Sequence, residues 1–418
     1  MANLDAKAGP PADPRARRVV WVVFVTVFLD LIGFGIVIPF LPLYVGTMGG
    51  SARTVGVLIS CFSFTQLIAT PLLGRLSDRV GRRRVILLSL AGNAASMVLF
   101  ALAAKVNLLW LLFTSRIVAG ATAGNISACQ AAIADVTEGP ARARGMGRLG
   151  AGIGLGIALG PALGGVLSEL GAWVPPLAAA ILALADLVAA AFVMPETLAR
   201  RAEAPAPSAR TSKASVFARR PLQVLLALYF CSFLLVSNLP TSLPLFVRDE
   251  FHWGKLETAW LFTAAGAIGV AIQGFAVERI SRALGEMRSV VLGSLLCTIG
   301  LAGTAWFATP VPFVVSLGVF LIGLGIVQPM LASVASRLAP RARQGAVLGV
   351  AQSAGGLART VGPTASGFLY DARGPSSPFA WSAAVAAIAV FLAAWLRGLD
   401  REEAPEPAAA SARSDEAQ

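Results

Sequence analysis

Four ionisable side chains interrupt long apolar stretches of this sequence: Asp30, Arg116, Asp186 and Arg359. At the centre of a lone membrane helix each would cost about 2.5–3.5 kcal/mol, so a cavity or an opposite charge is the expected neighbour. A carboxylate whose surroundings let it gain and lose a proton can carry protons through a membrane. We predict that Asp30, Arg116 and Asp186 couple to protons and that Arg359 contacts a substrate. The alternative is that the four charges only fix helix packing.

The apolar stretches themselves predict a membrane protein. The chain has 418 residues, of which 56% are hydrophobic and 13% are charged, whereas about 25% are charged in a soluble domain. Twelve stretches are long enough to cross a bilayer as helices. They cover residues 19–45, 54–73, 85–104, 107–134, 147–168, 172–194, 221–247, 257–277, 289–308, 311–335, 345–370 and 377–396. The predicted fold class is all-α and integral to the lipid bilayer, with twelve transmembrane helices.

The net charge of +12 lies mainly in short loops between these stretches. Most of the 34 Lys and Arg residues fall in the loops of one side, which the positive-inside rule assigns to the cytoplasm. Both termini are then cytoplasmic in a multi-pass protein of the plasma or inner membrane, and nucleic acid is not an expected partner. The four cysteines and the single histidine lack metal-ligand spacing, so no metal or other cofactor is expected.

The two halves of the chain repeat each other at an offset of 202 residues. Leu41–Val45 matches Leu243–Val247, and Gly160-Pro161 matches Gly362-Pro363. Each half holds six spans, so the copies are parallel repeats, with a substrate pathway between them near the midplane. The predicted domains are a cytoplasmic N-terminal segment (1–18), a six-helix bundle (19–195), a cytoplasmic linker (196–220), a second six-helix bundle (221–397) and a disordered cytoplasmic tail (398–418).

The loop between the second and third spans has the pattern G-x-x-x-D-R-x-G-R-R. Its residues are Gly74, Asp78, Arg79, Gly81 and Arg82. Glycine allows tight turns, an acid can meet the positive end of a helix, and arginines anchor a cytoplasmic face. The pattern resembles the loop signature of the major facilitator superfamily. The resemblance implies that Asp78 latches onto the start of span 11, near Gly345, when the transporter faces outward.

The fifth span carries a glycine stripe that also resembles a motif of this superfamily. Gly156, Gly160 and Gly164 recur every fourth residue, so on a helix they form one smooth face where another backbone can approach closely. Pro161 should bend the helix, and Gly165 extends the small-residue run. The spacing resembles the antiporter motif in the fifth span of major facilitator exporters. We expect this bent face to hold the two halves together, the alternative being ordinary close packing.

The residues around Asp30 resemble span 1 of tetracycline and multidrug proton antiporters. In the fourth span, Arg116 fits the Arg motif of the family except that Ala119 replaces the usual Gln. With the other motifs, the resemblance covers residues 18–397 and implies a twelve-span drug:proton antiporter of the major facilitator superfamily. Substrate-cavity candidates are Phe34, Gln66, Asn125, Asn238, Gln273, Gln328, Gln352 and Arg359. For the polar ones, hydrogen bonding between helices is the alternative.

The sequence therefore predicts a monomeric secondary transporter that exports hydrophobic or amphipathic small molecules in exchange for protons, by alternating access. A dedicated exporter of one secondary metabolite or siderophore belongs to the same class. A proton-coupled importer is disfavoured by the glycine motif. A non-transporting membrane receptor is a different class, and the short extramembrane segments leave little room for its signalling domain. An enzyme is not expected, because no nucleophile–base pair, phosphate loop or metal cluster is recognisable.

Overall fold

The computed structural model describes residues 14–198, 219–340 and 343–402. Regular structure within these ranges is entirely helical, and eleven helices are long and apolar enough to cross a membrane. A further helix, Gln344–Arg373, is equally long but carries Gln352, Ser353 and Arg359. The predicted all-α fold of twelve membrane helices is confirmed. Most of the predicted linker and tail lies outside the described residues.

The first six spans contain eight helices because two spans are broken. The helices are α1 (Pro14–Val37), α2 (Leu41–Thr47), α3 (Ala52–Val80), α4 (Arg82–Val106), α5 (Leu109–Ala121), α6 (Asn125–Val136), α7 (Gly139–Ser168) and α8 (Val174–Val193). A 3-10 turn at Ile38–Phe40 interrupts span 1 at Pro39, which cannot donate a backbone hydrogen bond. Residues 122–124 interrupt span 4, so Asn125 becomes the first residue of α6.

The last six spans form the second bundle. Their helices are α9 (Arg220–Phe251), α10 (Lys255–Ala271), α11 (Val277–Leu284), α12 (Glu286–Trp306), α13 (Pro310–Leu338), α14 (Gln344–Arg373) and α15 (Ser377–Glu402). A π turn at Ile272–Ala276 joins α10 to α11 within span 8. Such π turns widen a helix locally and often occur at functional sites.

Each half has its own apolar core, and apolar side chains also cover much of the exterior. Phe100 and Leu112 are fully buried in the first half, and Phe313 and Phe320 are fully buried in the second. Large apolar side chains on the outside include Phe192, Trp306, Val311 and Phe391. In water such a surface would aggregate, but a bilayer solvates it, while the helices satisfy their own backbone hydrogen bonds.

The halves meet along two helix pairs, α3 with α14 and α7 with α10. We call the side of the bundle where α1 begins the terminal face, and the other side the opposite face. The close contacts involve the parts of these helices nearer the opposite face, where α3 begins and α14 ends. At the terminal ends of α3 and α14, a carbon added to Gly74 or Gly345 would meet no atom of the described residues within 4 Å. The structure is therefore closed at the opposite face and open at the terminal face.

Candidate functional site

Asp30 is held by amides from two other helices. Asn93 of α4 donates a hydrogen bond from Nδ2 to Oδ1 of Asp30 at 2.6 Å. Asn125 of α6 donates from Nδ2 to Oδ2 at 3.5 Å, and its own Oδ1 accepts a hydrogen bond from Cys129 Sγ at 3.3 Å. The break in span 4 places Asn125 here, at the first turn of α6. Both oxygens of Asp30 therefore have amide donors inside the first half.

Asp186 of α8 lies on the same side of α1 as Asp30, one helical turn away. Thr26, four residues before Asp30, donates from Oγ1 to Oδ1 of Asp186 at 3.0 Å. The Asp186 residue is 2% exposed, and its Oδ2 has no hydrogen-bond partner among the described residues. A buried polar atom without a partner is unfavourable. The structure thus brings two of the three predicted proton-coupling residues together along α1.

Arg116 stands apart from this pair. It is 1% exposed, and its guanidinium lies over the ring of Phe100 at 4.8 Å. Its Nη2 lies 4.0 Å from Sδ of Met97. Met97 is one turn further along α4 than Asn93, toward the opposite face. No carboxylate of the described residues lies within ion-pair distance of Arg116. In this conformation Arg116 therefore makes no ion pair with Asp30, and its part in proton coupling stays a prediction.

The glycine stripe of α7 packs against α1. A carbon added to Gly160 would lie 2.6 Å from Cα of Gly35 and 2.8 Å from the carbonyl oxygen of Ile32. Gly156 likewise faces α1, and Gly164 approaches the carbonyl of Ile36. The expectation that this stripe joins the two halves is wrong. The stripe packs against α1, where Gly35 faces Gly160. Two backbones this close require small residues on both helices, and the small residue of α1 lies near Asp30.

Other residues of α7 make the contact between the halves. A carbon added to Gly165 would meet Ala259 of α10 at 2.5 Å, and the backbones of Ala158 and Gly266 also approach closely. Lys255 Nζ donates to the carbonyl oxygen of Ser168 at 3.2 Å. The face that closes against the second half is therefore the side of α7 next to the stripe.

The loop signature forms a hydrogen-bonded cluster at the terminal face. Arg82 donates to Asp78 at 2.5 Å and to Asp135 at 3.0 Å, and its backbone N–H donates to Glu196 at 2.9 Å. Gly81 has φ +108°, a conformation that favours glycine, and packs against the Glu196 carboxylate. Arg79 is exposed. Asp78 contacts its own half here, so a latch onto α14 in the outward-facing state stays a prediction.

A polar cavity of about 220 Å³ lies in the second half. Its lining residues are Tyr229, Ser232, Phe233, Gln273, Gln328, Pro329, Leu331, Ala332 and Gln352. They come from α9, the π turn, α13 and α14. Arg359 lies beside it, with its guanidinium 4.8 Å from the centre of the Phe233 ring. Three predicted substrate-contacting glutamines therefore share one cavity.

The remaining substrate-cavity candidates lie elsewhere. Phe34 packs near Phe62, with ring centres 6.1 Å apart, and Gln66 is half-buried on α3. The assignment of Asn125 and Asn238 to a substrate cavity is wrong for this conformation. Asn125 is 5% exposed and donates to Asp30, and Asn238 donates to Ser382 of α15 at 2.7 Å inside the second half. The Nδ2 group of each amide donates to another helix, while Asn238 Oδ1 is buried without a hydrogen-bond partner among the described residues.

Comparison with known proteins places the chain in a family. The sequence profile of the family described as Major Facilitator Superfamily matches residues 23–363 and 327–415. The chain belongs to the Major Facilitator Superfamily. It is 32% identical over 370 residues to the class E tetracycline resistance protein of Escherichia coli, which covers 85% of this chain and 89% of that protein. It is 30% identical over 397 residues to the class C protein, covering 92% and 98%.

A solved structure agrees with this placement. The crystal structure of the human organic anion transporter MFSD10 (TETRAN) matches with a TM-score of 0.67 and 28% identity, covering 91% of this chain and 100% of that chain. The protein is therefore a multi-pass membrane transporter of the superfamily that handles small molecules, and not an enzyme.

Four residues of the site were missed by the sequence reasoning: Asn93, Thr26, Asp135 and Glu196. Asn93 had a signal, because an amide inside the apolar stretch 85–104 needs a partner. Thr26 had none, since threonine in a membrane helix usually bonds its own backbone. Asp135 and Glu196 lie at span ends, where an acid is unremarkable. The superfamily loop pattern contains neither of them.

Proposed function

We propose that this transporter exports hydrophobic or amphipathic small molecules from the cytoplasm, driven by protons that enter through Asp30 and Asp186. The observation that carries the proposal is the amide pair on Asp30. When a carboxylate held by two donors binds a proton, it loses its charge and one acceptor position becomes a donor, so its hydrogen bonds from α4 and α6 would weaken or change geometry. Proton binding at Asp30 would therefore be linked to the positions of α4 and α6.

Asp186 would serve as the second proton-binding group. Thr26 connects it to the α1 turn that carries Asp30. Its unpartnered oxygen is a site where a proton could bind without breaking an existing hydrogen bond. Arg116 would act by stabilising the first-half core through Phe100.

The glycine stripe connects this site to the transport movement. Because α7 contacts α1 through Gly160 and contacts α10 through Gly165, a shift of α1 on proton binding would displace the surface where the halves close. We assign the terminal face to the cytoplasm from the distribution of Lys and Arg, so the structure corresponds to the inward-open state. Transport as a monomer needs one further state, in which the opposite face opens and Asp78 binds near Gly345.

The relatives suggest the first substrates to test. Two of them are tetracycline resistance proteins, and a third is described as Multidrug resistance protein 2 of Bacillus subtilis, at 27% identity. In everted membrane vesicles energised by respiration, tetracycline and a panel of lipophilic drugs should accumulate above the external concentration. Collapse of the proton gradient by a protonophore should abolish that accumulation. Accumulation that survives the protonophore, or none with any compound, would contradict the proposal.

A further inference from the structure

A basic cavity lies at the terminal face of the second half, where α12 begins and where α13 and α15 end. Its volume is about 360 Å³. Its lining residues are Leu284, Gly285, Glu286, Met287, Arg288, Arg337 and Arg397. The lining therefore carries three arginines and one acid. That acid accepts a hydrogen bond from Arg337 Nε at 3.2 Å, and the net charge of the lining is positive.

The first half shows which group fills the corresponding place there. Gly81 and Gly285 are counterparts, because each ends one helix and begins the next between the second and third spans of its half. A carbon added to Gly81 would clash with the carboxylate of Glu196, whereas one added to Gly285 would meet no described atom within 4 Å. At the repeat offset of 202 residues, the counterpart of Glu196 is Gly398. The second half thus has an arginine-lined cavity where the first half holds a carboxylate of its own chain.

The ion pair beside this place is present in both halves, with its charges exchanged. In the first half Arg82 of α4 donates to Asp135 at 3.0 Å. In the second half Glu286 of α12 accepts from Arg337, which follows Asp135 by 202 residues. The two sites are therefore built alike, and the one in the second half is the one whose anionic group the chain position equivalent to Glu196 does not supply.

The cavity lies at the depth of lipid headgroups. Arg288 is exposed in the first turn of α12, and Trp306, which ends that helix, is 85% exposed. At 1.5 Å per residue these two residues are ~27 Å apart along the helix, close to the thickness of the hydrocarbon core. Leu295 and Ile299 are exposed on the side of α12 that carries Arg288, so an apolar surface leads from the cavity toward the bilayer centre.

We propose that this cavity binds the phosphate of an anionic phospholipid from the leaflet at the terminal face. The planar guanidinium of arginine can donate two parallel hydrogen bonds to phosphate oxygens. Anionic lipids are enriched in the cytoplasmic leaflet, and basic pockets between membrane helices on that side bind their headgroups. The volume is near the lower end of the ~300–1,000 Å³ of ligand pockets, which suits a headgroup whose acyl chains lie outside along Leu295 and Ile299.

The bound lipid would stabilise the second half at the terminal face. One phosphate would bridge arginines of α12, α13 and α15, three helices whose ends meet at the cavity. This site is separate from Asp30 and from the glutamine-lined cavity, so it goes beyond the proposed transport function and can be tested without any substrate.

The test is the affinity of the purified full-length protein in detergent for single lipids, measured by titration in native mass spectrometry. Phosphatidylglycerol and phosphatidylcholine with the same acyl chains differ in headgroup charge, so the pair isolates the effect of charge. Inorganic phosphate is added as a competitor, because it would displace the lipid from a site meant for free phosphate. Arg84→Gln is the matched control: Arg84 is exposed at the same position after Gly81 as Arg288 is after Gly285, but Glu196 fills that site.

We expect the first phosphatidylglycerol to bind with a Kd at least about tenfold lower than that of phosphatidylcholine. Arg288→Gln and Arg397→Gln should each raise the Kd for phosphatidylglycerol about fivefold. That factor corresponds to the ~1 kcal/mol that one arginine contributes near an anionic surface. Arg84→Gln should leave this Kd unchanged, and inorganic phosphate should not displace the lipid.

Four results would overturn the proposal. They are equal Kd values for the two lipids, an unchanged Kd in both cavity variants, an equal rise in Arg84→Gln, and displacement of the lipid by inorganic phosphate. A preference for phosphatidylglycerol that appears only after residues 403–418 are removed would also overturn it, because the acids of that segment would then be the occupant.

Discussion

Asp371, at the end of α14, offers a direct way to shift the balance between the two transport conformations. Its carboxylate accepts hydrogen bonds from the backbone N–H groups of Ala52 at 3.2 Å and Arg53 at 2.9 Å. These are the first residues of α3, so an acid from the second half caps a helix of the first half. The Arg53 side chain adds an ion pair at 3.9 Å. The contact can exist only while the opposite face is closed.

The size of the effect follows from this geometry. Removing a helix cap costs about 0.5–2 kcal/mol, and the Asp371 side chain is 24% exposed, so solvent screens it only in part. The exposed Arg53 adds little. When the opposite face opens, both the acid and the amides are hydrated, so the loss falls on one conformation. Asp371→Ala should therefore favour the state open at the opposite face by about 1–2 kcal/mol, or roughly fivefold to thirtyfold.

The assay is the labelling rate of a cysteine placed on α3 at Ser60, in a variant that lacks the four native cysteines. Ser60 is 8% exposed and accepts a hydrogen bond from Thr364 of the second half at 2.7 Å, so it is covered while the opposite face is closed. A membrane-impermeant maleimide applied from the opposite face should label it faster in Asp371→Ala. Asp249→Ala is the matched control, because Asp249 is an acid at the same face that bonds Tyr370 and Arg248 within the second half. Equal labelling rates in the parent and Asp371→Ala, or an equal rise in both variants, would refute the argument.

Three further predictions follow from the contacts of the first half. Gly160→Ala should destabilise the protein by about 1–3 kcal/mol in thermal unfolding, because the added carbon meets the α1 backbone. The control Gly147→Ala adds a carbon that meets no described atom, so it should unfold at the same temperature as the parent. Equal unfolding temperatures for Gly160→Ala and the parent would contradict the close contact. Asp78→Asn should change stability by less than about 1 kcal/mol, because the acid is 64% exposed, but should slow turnover in reconstituted vesicles; unchanged turnover would exclude a latch. Asp186→Asn keeps the Thr26 bond and should change the pH profile of export, and a parental profile would mean that Asp186 is only structural.

The number and approximate limits of the spans could be predicted from the sequence because a bilayer permits few solutions. A backbone in lipid must satisfy its own hydrogen bonds, so each long apolar stretch becomes a helix. Asp30 was identifiable from the sequence because a charged side chain in an apolar membrane helix requires a partner or a function. The three glutamines of the second-half cavity were also found among the polar residues of the spans.

The partners of these residues could not be predicted, because they depend on how helices rotate and where they break. The stripe around Gly160 specified a close backbone contact but not whether α1 or the second half would provide it. Asn125 was assigned to the cavity because the break after Ala121 was not expected; as the first residue of α6 it turns toward Asp30 instead. A stripe of small residues could pack against any of several neighbouring helices, and tertiary packing decides which helix it contacts.

Two activities of Asp30→Asn, measured side by side, test whether Asp30 carries the coupled proton. The amide keeps the size of the carboxylate but cannot bind a proton at neutral pH. In everted vesicles, exchange of labelled for unlabelled tetracycline needs no proton gradient, whereas uphill accumulation does. We expect Asp30→Asn to retain exchange and to lose uphill accumulation. Proton-driven accumulation at the parental level in this variant would contradict it.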